Sequence, residues 1–139
     1  MKLWTRIAFV ALMSFPLVAS AQFRDLDTAM SNLERGFGGG DVDAIVSGIS
    51  AGEQVMLQFP GLAEKDGFFG RDQAAYLLDG LFNKVKPSAF ERVSARGARA
   101  EGQYHIKAKW TTGAGERDLY ITLQQKDGRW SVVSVRTAG

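Results

Sequence analysis

Residues 103–135, QYHIKAKWTTGAGERDLYITLQQKDGRWSVVSV, decide the fold. From Gln103 to Thr112, Tyr104, Ile106, Ala108 and Trp110 alternate with His105, Lys107, Lys109 and Thr111, the period of a strand with one buried face. Gly113-Ala114-Gly115 makes a loop, and Glu116 to Gln125 alternates Leu119, Ile121 and Leu123 against Tyr120, Thr122 and Gln124. Lys126-Asp127-Gly128-Arg129 carries the Asp-Gly step of a tight hairpin. Trp130 to Val135, WSVVSV, is apolar on both sides, which suits a strand covered on both faces or one at an interface.

Upstream of this meander the period changes. Ala89 to Ala98 reads as an irregular strand with a bulge, because Arg or Glu falls on both of its faces. Residues 71–85, RDQAAYLLDGLFNKV, place Ala74, Leu78, Leu81 and Val85 on one helical stripe, broadened by Leu77 and Phe82, and Lys86-Pro87 ends the helix. Gln54 to Phe59 alternates as a strand, and LAEKDGFFG after Pro60-Gly61 is a turn or short hairpin. Arg24 to Phe37 sets Leu26, Met30, Leu33 and Phe37 on a first helix, with Asp25 and Asp27 at its electropositive start. Gly38-Gly39-Gly40 stops that helix, and Asp41 N-caps a shorter one with Val42, Ile45, Val46 and Ile49 inward. Three helices packed on one face of a curved antiparallel sheet give an α+β fold in a single domain, residues 22–139.

The N-terminus reads as a secretory signal peptide, residues 1–21. Lys2 and Arg6 precede the apolar run Ile7 to Val18, and Ala19-Ser20-Ala21 supplies the small-residue cleavage pattern. The expected location is periplasmic or secreted, with no membrane anchor after cleavage. The chain has no Cys, which excludes a lipoprotein anchor, disulfides and thiol chemistry. The signal takes two of the 17 basic residues and none of the 15 acidic ones, so the mature chain is neutral and its charge gives no ground for nucleic-acid binding. Neutrality hides an asymmetry: residues 22–83 carry 4 basic and 10 acidic side chains, residues 84–139 carry 11 and 5. If the halves form different layers, the domain has a strong dipole.

Three stretches resemble the nuclear transport factor 2-like superfamily, the cystatin-like cone shared by ketosteroid isomerases, scytalone dehydratase and SnoaL-type polyketide cyclases. Gly40-Asp41-Val42-Asp43-Ala44 looks like its Gly-Asp step after helix one, and Phe69-Gly70-Arg71 with Ala74 and Leu78 looks like its glycine-initiated third helix. Lys126-Asp127-Gly128-Arg129-Trp130-Ser131-Val132 looks like its final hairpin. The chain is similar, more narrowly, to small exported bacterial members classed only as a domain of unknown function. The resemblance implies three helices on a curved sheet, and for some members dimerisation through that sheet. It does not supply an activity, since the fold hosts enzymes, binding modules and scaffolds alike.

Superfamily enzymes place acid–base residues inside the cone. His105, the single histidine, falls on the polar face of its strand between lysines, so it is not read as a base. Asp118 falls with Tyr120 off the core face, and Asp72 sits in the first turn of a helix, where it complements the dipole. No catalytic residue, metal site or cofactor is assigned. Phe59, Trp110 and Trp130 are the candidate lining of an apolar pocket, with Arg71 at its mouth. His105, Lys107, Lys109, Arg117 and Tyr120 are the candidate partner surface, and a homodimer through the sheet is expected. The leading reading is an exported, non-catalytic domain that binds a small apolar ligand or a protein partner. The alternative is a cofactor-independent isomerase, dehydratase or cyclase.

Overall fold

Asp25 starts the first helix by accepting a 2.7 Å hydrogen bond from the Thr28 amide, one of the donors a helix N-terminus leaves unpaired. The same bond is the main reason its carboxyl sits below the usual carboxylate range. The computed structural model describes residues 23–98 and 102–138, so the expected signal peptide lies outside the described residues. Helix α1 spans Leu26–Leu33 and buries Ala29, Met30 and Leu33. The expected α-helix does not run on to Phe37; Glu34–Gly38 forms a π-helical turn that buries Gly36 and Phe37. Gly36 lies so close to Ile45 that a Cβ there would collide with the isoleucine side chain. The wider turn and the missing Cβ together let the next helix approach.

Helix α2, Val42–Val46, is N-capped by Asp41 through the Ala44 amide and is only five residues long. Strands β1, Val55–Gln58, and β2, Gly67–Phe69, follow, and then the fifteen-residue helix α3, Arg71–Val85. The three expected helices therefore reduce to two of eight residues or more and one short segment, and the early strand and hairpin fall between the second and third, as the sequence suggested.

Four strands complete the sheet: β3 Pro87–Ala98, β4 Gln103–Thr112, β5 Gly115–Lys126 and β6 Arg129–Thr137. Their order is β2-β1-β6-β5-β4-β3. Neighbours are antiparallel except β1 and β6, which are parallel, so the sheet is mixed rather than antiparallel throughout. The early hairpin causes this, because it docks on the far edge of the meander instead of extending it. At the β5–β6 turn Asp127 and Gly128 have φ of 54° and 77°, the left-handed pair a two-residue hairpin needs.

Bulges bend the sheet. The β3–β4 register shifts between Arg92 and Ser94, leaving Val93 outside the ladder and half exposed. A second shift sets Thr122 opposite Ser134 and Leu123 opposite Val132, leaving Val133 over. This bulge explains the doubly apolar WSVVSV run. Val132 and Val135 both face inward because the extra residue resets the alternation, so the run does not require cover on both faces.

The concave face carries Val55, Leu57, Ile106, Ala108, Trp110, Leu119, Ile121, Leu123, Val132 and Val135, all 2 % exposed or less. α1, the π-helical turn and α3 pack against it through Leu33, Phe37, Leu78 and Phe82.

Candidate functional site

The interior of the cone is filled by rings. Trp110 stands 5.6 Å from Phe37 edge-to-face, and 6.0 Å from both Phe59 and Phe82. Phe37 also packs on Phe82 at 5.7 Å and stacks on Phe90 at 6.2 Å. Trp110 Nε1 donates a buried 2.8 Å hydrogen bond to the Phe37 carbonyl, one of the last carbonyls of a helical segment that no following turn can satisfy. Phe59 and Trp110, two of the expected pocket residues, therefore meet as neighbours in the packed core.

The other two find different partners. Arg71 donates through Nη2 at 2.7 Å and Nε at 3.1 Å to the carbonyl of Ile49, which closes the segment after α2. Trp130 exchanges two backbone hydrogen bonds with Phe23, each 2.8 Å, and sets its ring 6.2 Å from Tyr104. The four residues do not converge on one cavity.

A separate open cleft of about 750 Å³ lies outside the cone, between residues 62–65, β2 and the outer side of α3. Leu62, Phe69, Leu77 and Leu81 give it apolar walls, and Glu64 and Lys65 stand at its rim. Lys84 Nζ ties this loop down with a 3.1 Å bond to the Leu62 carbonyl.

The outer face of the sheet is a different surface. Register pairing sets His105 opposite Thr122, Lys107 opposite Tyr120 and Lys109 opposite Asp118 across β4 and β5, and Tyr120 opposite Arg136 across β5 and β6. None of these seven residues is buried. Arg136 holds its guanidinium carbon 4.5 Å from the centre of the Tyr120 ring, and Lys107 holds its ammonium 5.9 Å from it. His105 Nδ1 lies 3.2 Å from the Thr122 hydroxyl. On the same face β3 adds Arg96 opposite His105 and Glu91 opposite Lys109, and β2 adds Phe68, 67 % exposed, opposite Met56.

Arg117 does not belong to that set. It pairs with Trp110 in the ladder, and so lies on the concave side, two residues from Leu119. Its Nε is buried without a hydrogen-bond partner, as is Oγ1 of Thr137. The sequence grouped Arg117 with the lysines by proximity, whereas alternation from Leu119 separates them. Arg136 was missed, although the same alternation continued one residue past Val135 places it outward.

The buried residues include no carboxylate and no histidine among those described. Two ion pairs occur among the described residues, Arg35–Asp41 at 3.3 Å and Lys126–Glu53 at 3.0 Å, both on the surface. No group of His, Cys, Asp and Glu suited to a metal ion occurs among them. No helix of the described residues is long and apolar enough to cross a membrane.

This mixed, bulged sheet wrapped by helices is the nuclear transport factor 2-like α+β fold. A protein of that description from Silicibacter pomeroyi matches with a TM-score of 0.56 and 13 % identity, over 81 % of this chain and 91 % of its own. A de novo designed protein with a curved β-sheet matches with a TM-score of 0.62 and 11 % identity, over 83 % of this chain and 100 % of its own. A DUF4783 family protein from Bacteroides ovatus is similar with a TM-score of 0.66 and 16 % identity, over 77 % of this chain and 91 % of its own. Residues 30–137 match the family described as the domain of unknown function DUF4783, and the chain belongs to that family. No curated protein matches it.

Proposed function

We propose that this chain is an exported, non-catalytic binding module that meets its partner, a second copy or another protein, through the outer face of its sheet. The observation that carries the reading is the open row Lys107–Tyr120–Arg136, two cations held against one aromatic ring on an uncovered face. The ring-filled interior supports it too. An isomerase, dehydratase or cyclase needs an acid–base group desolvated beside a bound substrate, and Phe37, Phe59, Phe82 and Trp110 occupy that volume. Export rests on the signal-like residues 1–21.

A second reading, binding of a small apolar ligand, is favoured by the cleft beside α3, whose volume falls within the range of small-molecule sites. Native mass spectrometry of the protein taken from its exported fraction separates the two. A protein complex, or a dimer, supports the sheet reading. A small-molecule adduct on a monomer, lost on denaturation, would move the function to the cleft.

A further inference from the structure

We infer that the partner of the outer sheet face is an acidic, extended protein segment, an inference that rests on the sheet reading above and names the chemistry of what docks there. The face presents Arg96, Lys107, Lys109 and Arg136 against three carboxylates, Glu91, Asp118 and Glu116, all in the two rows at the Lys109 and Thr111 end; the rows through His105 and Lys107 hold none. No ion pair forms between them, since the ion pairs among the described residues lie elsewhere. Lys109 is opposite Asp118 and Glu91 in the ladder and pairs with neither. Arg96, Lys107 and Arg136 therefore stand in rows without a carboxylate, the last two held in place by the Tyr120 ring.

Spacing narrows the partner. Lys107 and Lys109 point the same way along β4, about 6.5–7 Å apart, which is the repeat of alternate side chains on any extended chain. Lys107 and Arg136 stand on strands either side of β5, about 9.5 Å apart across the sheet. A segment with carboxylates at alternate positions meets the first spacing, and Tyr120 offers apolar contact between Lys107 and Arg136.

The test uses the chain without its signal segment and a fluorescent oligoglutamate peptide, read by anisotropy at low and physiological salt. Binding should weaken several-fold as salt rises and fall at least tenfold in K107E/R136E. The neutral variant K107Q/R136Q should lose affinity by an intermediate factor and guards against misfolding of the charge reversal, while R24E, away from the face and the cleft, should bind as the parent does. Absent oligoglutamate binding, or equal binding by all variants, overturns the inference. So does binding to vesicles containing anionic phosphatidylglycerol without binding to oligoglutamate. A dimer insensitive to salt but broken by substitutions on this face would overturn the acidic partner and keep the sheet reading. A partner cross-linked only to the helices would remove the sheet reading itself.

Discussion

Arg71 illustrates how a residue suited to a ligand can be absorbed by the backbone. Its guanidinium fork reaches the Ile49 carbonyl with two nitrogens, holding the start of α3 to the end of the α2 segment. A charged donor to a half-buried carbonyl contributes about 1.5–3 kcal/mol, and an ammonium reproduces the fork poorly. R71A should therefore lower stability in urea by that order, with R71K recovering part of it. An R71A protein as stable as the parent would free Arg71 for the place at a pocket mouth that the sequence suggested. Trp110 shows the same absorption in the core. Sequence placed it on the inward face correctly, but could not tell lining from filling. That distinction depends on Phe37, 73 residues earlier, whose carbonyl takes the indole proton and whose ring closes the space.

Helix α1 and its π-helical extension carry the first part of the fold. The stripe Leu26, Met30, Leu33 and Phe37 was legible at helical spacing, as was the Asp41 cap of α2. The π-helical turn was not, because it accompanies the close approach of Ile45 to Gly36, which spacing cannot express. The parallel β1–β6 pairing was equally hidden, since each strand reads alike whichever neighbour it takes. Bulges were half legible: charges on both faces of β3 announced one, while the β6 bulge at Val133 passed as a doubly apolar strand. The cap of α1 gives a pH-dependent prediction. Asp25 has a lowered folded pKa, so its contribution is present above its unfolded value of 3.8 and is lost as pH falls through the folded value. The stability difference between the parent and D25A should be full at about pH 7 and gone by about pH 2. A difference that persists in acid would mean that the cap acts through something other than the carboxylate.

At the scale of the whole molecule, two layers divide the work. The helices and the concave face of the sheet fill the cone, and the convex ladder of β3 to β6 is left to solvent with its cations and Tyr120 outward. The charge asymmetry between residues 22–83 and 84–139 was visible in the sequence and follows the division between the first helices with their hairpin and the meander. Which cations share a face required the register, as Arg117 and Arg136 show from opposite sides. The central claim is that recognition takes place on the outer face, and amine-reactive footprinting of the protein in a native extract of cells that produce it tests it most directly. Compared with the purified protein, Lys107 and Lys109 should be protected from modification while Lys65, at the rim of the cleft, stays reactive. Protection of Lys65 with Lys107 and Lys109 unchanged would contradict the account and place recognition at the cleft beside α3.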